Sequence, residues 1–352
     1  MFEKRKRTGF TCFGTGLIAL DLVINGDEDS APRTWAGGSC GNVLTILAYL
    51  GWTSCPVARL GVDEASEAVT KDMASHGVDF KYVSFDKSVH TPIIVQRILV
   101  APDGHPTHRF YWICPNCGSW LPRYSPIRLK DILDFCEQPP SMTCFYFDRV
   151  SPASMRLAER AKQEGALVVL EPTRIEDTPL FKKAIDLCDI LKYSNERAKN
   201  SPQLAYESQA QLVVETLGAE GLRYRLLKGG RCGEWKLMPA FRVRNLKDAA
   251  GSGDWCTAGM IDMLAADWIS FNRMNEKKIA EALRYGQALS ALNCGFEGAR
   301  GAMYGIESSN FNREIQSILD REEACASIFD SFPDRMKKTT QCRCPACQAT
   351  KK

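Results

Sequence analysis

Residues 248–254 read Asp248-Ala249-Ala250-Gly251-Ser252-Gly253-Asp254, and an apolar run with helical spacing, Trp255 to Ala266, follows directly. Glycines just before a helix let backbone N–H groups close on an anion, and the helix N-terminus adds a partial positive charge. The stretch therefore reads as an anion hole built from Gly251, Ser252 and Gly253. Asp254, at the helix start, stands where a carboxylate can take the proton of an attacking hydroxyl while the hole stabilises a transferring phosphoryl group. The same residues also suit an ordinary loop with an aspartate N-cap.

Upstream of this turn the chain alternates strand-like and helix-like runs. Phe10 to Ile18 is strand-like, Val43 to Leu50 helical, Ser54 to Leu60 strand-like and Ala65 to His76 helical. The rhythm returns with Cys144 to Phe147 (strand), Ser154 to Glu164 (helix), Ala166 to Leu170 (strand), Leu180 to Leu187 (helix) and Ile190 to Lys192 (strand). Ser208 to Gln211 (helix), Leu212 to Leu217 (strand), a hairpin from Leu222 to Trp235 and a helix from Lys278 to Leu292 complete it. Such alternation predicts an α/β fold, a mostly parallel sheet with helices on both faces.

Residues 21–36 and 90–113 break the rhythm with polar–apolar alternation and turn signals at Asn25-Gly26 and Pro102-Asp103-Gly104. They read as a small exposed antiparallel sheet, a lid inserted into the core, whose second segment extends to about residue 125. From about 306 the pattern weakens to one helix, Phe311 to Phe329, and a Lys- and Cys-bearing tail ending at 352.

The 352 residues include 45 Lys+Arg against 42 Asp+Glu, a net charge of +3, with 45% hydrophobic and 25% charged residues. That balance argues against disorder and gives no footing for a nucleic-acid or acidic-membrane surface. No apolar run approaches the length of a membrane span, and no signal-like segment follows Met-Phe-Glu-Lys-Arg-Lys-Arg, so a cytoplasmic location is expected. The basic run Lys4 to Arg7 suits a solvated terminus or, as the alternative, a targeting or nucleic-acid patch.

Residues 248–254 resemble the DTxGAGD signature of the ribokinase/PfkB family of carbohydrate and nucleoside kinases, with Ala249 in place of Thr and Ser252 in place of the middle Ala. Further likenesses follow in the family's order. Gly37-Gly38-Ser39-Cys40-Gly41-Asn42 is similar to its GGxxxN motif, and Leu50-Gly51 with Leu60-Gly61-Val62-Asp63 to the continuation. Thr216-Leu217-Gly218-Ala219-Glu220-Gly221 is similar to its TxGxxG nucleotide loop, and Glu171-Pro172-Thr173-Arg174 more loosely to its DPNxR turn. The resemblance covers residues 9–305, which it implies to be one kinase domain with a ribokinase-like three-layer α/β/α core and a small β-sheet lid; 306–352 lie outside it.

The resemblance implies roles. Asp254 would be the catalytic base, with Gly251, Ser252 and Gly253 as the anion hole. Asp21, Gly37, Gly38, Asn42 and Asp248 would face the substrate. Thr216, Gly218 and Gly221 would line an ATP site, Asn293 would help enclose the adenine, and Asn195 would open the NxxE motif linked to Mg²⁺. Ala198 stands where that motif has glutamate, which leaves Glu196, acting through water, as a substitute. Lys192 would meet phosphate or solvent, and Arg174 a phosphate or a surface partner. A carboxylate and an amide read vicinal hydroxyls well; the bland alternatives are a turn aspartate for Asp21 and a helix N-cap for Asn42.

Cysteine is unusually frequent, with 15 residues. Cys114-Pro115-Asn116-Cys117-Gly118 is the knuckle with which half a zinc ribbon aims two thiolates at one metal, and the tail holds a second pair in Cys344-Pro345-Ala346-Cys347 with Cys342 before it. Two such pairs supply four sulfur ligands for a structural Zn²⁺ that clips the tail to the lid, within one chain or across a dimer. Two unligated pairs or a redox pair are the alternatives. Cys12, Cys40, Cys256 and Cys294 read as small buried hydrophobes.

The expected function is transfer of the γ-phosphoryl group of Mg-ATP to a hydroxyl of a sugar or sugar-like molecule. A nucleoside kinase, for which Phe110, Tyr111 and Trp112 would stack on a base, and a catalytically idle zinc-bearing scaffold are the alternatives. A homodimer through the exposed edge of the lid is a further expectation.

Overall fold

Cys144-Phe145-Tyr146-Phe147 and Leu167-Val168-Val169-Leu170 carry no polar alternation, the pattern of strands covered on both faces, and every one of these residues is buried. The computed structural model describes residues 9–25, 32–101, 106–198, 208–228, 231–265 and 276–324, together with Cys344 and Cys347. In it those two strands lie at the middle of a large sheet. Parallel pairing runs from Thr53–Pro56 through Thr11–Thr15, Cys144–Phe147, Leu167–Leu170 and Ile190–Ser194 to Leu212–Thr216. Leu222–Lys228 then joins antiparallel and pairs with both Arg231–Cys232 and Lys236–Met238.

Successive residues of a strand point to opposite faces, and the core divides accordingly. Tyr146 and Val169 belong to one buried cluster with the helices Ser39–Tyr49, Ser252–Leu264 and Glu276–Asn293, whereas Phe145, Phe147 and Val168 belong to another with Pro152–Gln163 and Pro179–Leu187. These are the three layers of a ribokinase-like α/β/α core.

The small sheet has the order Arg33–Gly37, Ala19–Asn25, Ile93–Val100, Pro106–Tyr111. Its two outer pairings are antiparallel, but Ala19–Asn25 and Ile93–Val100 run parallel, so the expectation of an all-antiparallel sheet is corrected. Nor is it exposed throughout. Ala19–Asn25 is buried except at Asn25, within the same apolar cluster as the helix Glu64–Ser75, and only Pro106–Tyr111 is largely open to solvent.

Other expectations shift. Phe10 to Ile18 is not one strand: Thr11–Thr15 lies in the large sheet, and the chain re-enters the small one at Ala19. Ser54 to Leu60 likewise splits into Thr53–Pro56 and Ala58–Gly61. Ser208 to Gln211 forms no helix, because the Ser208 hydroxyl donates to the Ile185 carbonyl and accepts the Ala210 N–H, a local turn that competes with a helical one. The C-terminal helix is Ser308–Arg321; Glu322 takes a left-handed conformation at φ 58° and Glu323–Ala324 pairs as a strand with Arg242–Val243, so the helix stops short of Phe329, which lies outside the described residues. Gly26, the turn at 102–104, Lys4 to Arg7 and Cys342 also lie outside them. Among the described residues no helix is long and apolar enough to cross a membrane.

Candidate active site

The C-terminal ends of parallel strands and the N-termini of the following helices face one side of the sheet, where open α/β folds place ligands. The helix Ser252–Leu264 begins there. Its N-cap, Gly251, is left-handed at φ 73°, and a Cβ on it would lie 2.1 Å from the Ala299 carbonyl oxygen, so glycine is required by conformation and by space. Among the described residues no side chain caps this end; the Ser252 N–H bonds to the Ala249 carbonyl at 3.2 Å, and the neighbouring Gly251 and Gly253 N–H groups are left to an incoming anion.

Asp254 sits in the first turn of that helix, 9% exposed. Its Oδ2 accepts a hydrogen bond from Asn42 Nδ2 at 2.7 Å. Burial, with the Glu171 charge nearby, pushes the Asp254 carboxyl up to about 7; the Asn42 bond and the Lys192 charge oppose this. A carboxyl tuned there suits a general base at neutral pH.

Beneath Asp254 lies a polar cluster that the sequence did not disclose. Lys192, 1% exposed, donates to Glu171 Oε1 at 2.6 Å and to the Gly253 carbonyl at 3.1 Å. The Thr257 hydroxyl donates to Glu171 Oε2 at 2.5 Å. Lys192 is therefore shielded from solvent; it ties the carboxylate after the strand Leu167–Leu170 to the first turn of the helix Ser252–Leu264. Arg174, by contrast, pairs at the surface with Glu176 at 3.2 Å.

The substrate-side residues converge from two elements. Asp21 lies in the strand Ala19–Asn25, facing Gly37, where a Cβ would come within 1.8 Å of the carboxylate. Gly38, at φ 80°, is the N-cap of Ser39–Tyr49, and a Cβ there would lie 2.4 Å from the Leu17 carbonyl oxygen. Asn42 is thus inside the helix, not its cap. Asp21 Oδ1 and Asn42 Oδ1 are both buried without a hydrogen-bond partner, an arrangement that costs free energy unless a ligand supplies donors. Burial raises the Asp21 carboxyl to about 7, Arg300 opposing and Asp254 reinforcing the rise.

Asp248 and Asn293 are placed differently from the expectation. Asp248, 2% exposed, accepts from Gln96 Nε2 at 2.6 Å, Gly298 N–H at 3.0 Å and Ala250 N–H at 2.9 Å. Asn293 is wholly buried, donating to the Ala250, Gly298 and Ala299 carbonyls and accepting from Ala302 N–H. Both side chains bind the 248–251 loop to the 298–302 loop, and Asp248 Oδ1 also lies 3.4 Å from His108 Nδ1 of the small sheet. On the expected nucleotide side, Ser194 pairs with Thr216, which sets the exposed Asn195 and Glu196 beside Thr216 and the turn Gly218–Glu220 that closes at Gly221.

Asp148, 1% exposed, also went unread in the sequence. It follows Phe147 as Glu171 follows Leu170, and a carboxylate immediately after a wholly apolar strand is the signal that would have found both. Its Oδ1 accepts the Leu17 N–H at 2.9 Å and Oδ2 pairs with Arg149 at 3.0 Å. Cys40 is buried, which pushes its thiol well above the ordinary value.

The four knuckle cysteines meet within one chain. All four Sγ atoms lie within 4.8 Å of one another, with Cys114–Cys347 at 3.8 Å and Cys117–Cys344 at 3.9 Å. A Zn–S bond of about 2.3 Å gives a tetrahedral S···S edge of about 3.8 Å. Hydrogen bonding to Ser119 holds the Cys117 thiol below the ordinary range.

A helix N-terminus beside a buried carboxylate suits phosphoryl transfer to a hydroxyl, the chemistry of the α/β small-molecule kinases. The chain belongs to the pfkB family carbohydrate kinases, whose model matches residues 11–303. It is 24% identical over 329 residues to probable fructokinase-7 of Arabidopsis thaliana, covering 84% of this chain and 90% of that protein. It is 26% identical over 301 residues to an ATP-dependent ribose-1-phosphate kinase of Halopiger xanaduensis, covering 81% and 90%. Among solved structures it resembles a fructokinase with bound ATP from Xylella fastidiosa, at a TM-score of 0.66 and 22% identity over 89% of this chain and 99% of that one.

Proposed function

We propose that this kinase transfers the γ-phosphoryl group of Mg-ATP to a hydroxyl, preferably a primary one, of a sugar or sugar-like molecule. The observation that carries the reading is the 2.7 Å bond between Asn42 and Asp254, which joins the start of the helix Ser39–Tyr49 to the base. The unpartnered Asp21 Oδ1 and Asn42 Oδ1 accept from substrate hydroxyls. Asp254 takes the proton of the attacking hydroxyl as its oxygen bonds to the γ-phosphorus; the bond to the β-phosphate oxygen breaks and ADP leaves. The N–H groups of Gly251, Ser252 and Gly253 stabilise the charge on the transferring group.

ATP enters beside Thr216, Gly218 and Gly221, and Asn195 stands at the same strand end. Exposed oxygen donors on Asn195 and Glu196 fit a Mg²⁺ that keeps most of its water; the ion, when bound, neutralises phosphate charge. Zn²⁺ fits the four cysteines by their tetrahedral spacing. Free thiols persist in a reducing compartment, so we place the protein in the cytoplasm. The small sheet acts as a lid, and its open strand Pro106–Tyr111 is the edge a second copy would cover.

A nucleoside acceptor is favoured by one observation: Trp112, Trp120 and Tyr124 line a cavity of about 490 Å³ on the Leu17 side of the substrate loop. The test is ATP consumption with D-fructose, D-ribose, ribose 1-phosphate, adenosine and inosine. Turnover with a sugar, abolished in Asp254→Asn, is expected; turnover with nucleosides alone overturns the sugar assignment.

A further inference from the structure

The cysteine centre and the cavity beside Leu17 share one hairpin. Trp112 and Trp120 flank the knuckle, and both line the cavity with Leu17, Ile94, Tyr124 and Arg149. The stem consists of the Ile113–Trp120 bridge and the Leu121 N–H to Trp112 carbonyl bond at 2.9 Å. The tip is closed by Cys114 N–H to the Ser119 carbonyl at 2.8 Å and Gly118 N–H to the Cys114 carbonyl at 3.0 Å. The aromatic face of this hairpin is poorly covered: Trp112 is 46% exposed, Ile113 44% and Trp120 65%, while Arg123 lies over the Trp120 ring at 4.7 Å. A short two-stranded ribbon without an apolar cover is marginal in water. Its anchors are Leu121 at the base of the stem, 2% exposed, and Cys114 at the tip, 2% exposed, which lies with Cys344, 1% exposed, in the main apolar core.

We propose that Cys114, Cys117, Cys344 and Cys347 bind one Zn²⁺, and that this centre fixes Trp112 and Trp120 as a wall of the acceptor cavity. The inference rests on the zinc assignment above and adds its consequence. A cross-link between residues far apart in sequence limits the open states of the segment that carries it. The metal therefore acts on the acceptor side of the site and leaves the strand ends that carry Asn195 and Thr216 untouched.

The full-length protein as isolated should contain about one equivalent of zinc by elemental analysis, lost in Cys117→Ser and in Cys344→Ser but retained in Cys136→Ser. Chelation of the wild-type protein should then accelerate amide exchange of Cys114, Gly118 and Leu121 at least about tenfold, with Cys144–Phe147 unchanged. It should also shift tryptophan emission in the wild type and not in Trp112→Phe/Trp120→Phe. Less than half an equivalent of zinc overturns the metal site and leaves the kinase reading standing. Zinc present, with exchange at 112–121 indifferent to its removal, overturns the wall and leaves the metal site. Chelating the wild type keeps the test valid should either cysteine variant fail to fold.

Discussion

Asn42 and Asp254, 212 positions apart, are joined by a 2.7 Å hydrogen bond from the Asn42 amide to the carboxylate. Asn42 lies in the first turn of the helix Ser39–Tyr49, proposed to read substrate hydroxyls, and Asp254 is the proposed base, so in that reading the bond couples recognition to chemistry. It also favours the ionised carboxylate against the burial that raises it to about 7. In Asn42→Ala the acid limb of the kcat/KM profile should move to higher pH, because a donor to the charged form is gone. Asp254→Asn should lower kcat by about 10²- to 10⁴-fold across the whole profile.

Glu171 acts on the same limb with the opposite sign. Its charge lifts the Asp254 carboxyl, so Glu171→Gln, which leaves the Lys192 cation in place, should move the acid limb to lower pH. A pH–rate profile of the two single variants separates them: Asn42→Ala shifts up and Glu171→Gln down.

Lys192 and Glu171 form a pair that is 1% and 6% exposed. Removing one partner strands a buried charge, at a cost of about 3–5 kcal/mol. Lys192→Met should lose that much by urea denaturation, and Lys192→Met/Glu171→Gln should recover a large part. Additive losses in the double variant would refute the coupling.

Asp21 gives the resting protein a pH-dependent stability. Its carboxyl is near 7 when folded and has an ordinary value of 3.8, so between about pH 4 and pH 7 the folded state binds more protons than the unfolded state. The contribution is complete below that window and is lost as pH rises through it. Asp21→Asn should therefore melt increasingly above the wild type as pH rises from about 4 to 8, in the absence of substrate.

Gly37 has no room for a side chain, since a Cβ would stand 1.8 Å from Asp21 Oδ2. Gly37→Ala should displace that carboxylate, cost about 1–3 kcal/mol of stability and raise KM for the acceptor more than KM for ATP. Equal rises in both constants would contradict the assignment of Asp21 to the acceptor side.

Much was legible before any coordinates, because the signals are local. The wholly apolar strands Cys144–Phe147 and Leu167–Leu170 announced a sheet covered on both faces, and 248–254 announced a helix N-terminus that needs glycine. The cysteine pairs were equally readable, a knuckle being fixed by five consecutive residues. Residues 208–211 misled because a serine hydroxyl offers the backbone a competing turn. The small sheet misled because polar–apolar alternation reports one covered face and says nothing of strand direction.

Asn293 and Asp248 show the other limit. Their positions in the sequence match a ligand site, yet their buried polar groups bind two loops of the chain to each other. Lys192 shows it from the opposite side, a cation that suits solvent or a phosphate in the sequence and is buried against Glu171 and the Gly253 carbonyl in the fold. By itself the sequence determined the three-layer sheet, the glycine turn, its carboxylate and the two cysteine knuckles, since backbone conformation and hydrophobic period are set by neighbours in the chain. Only the tertiary structure decided that Asn42 meets Asp254, that Glu171 and Lys192 lie beneath the anion hole, and that Cys114 and Cys117 face Cys344 and Cys347. Burial and pairing at such separations depend on how the layers pack, a property that no local pattern encodes.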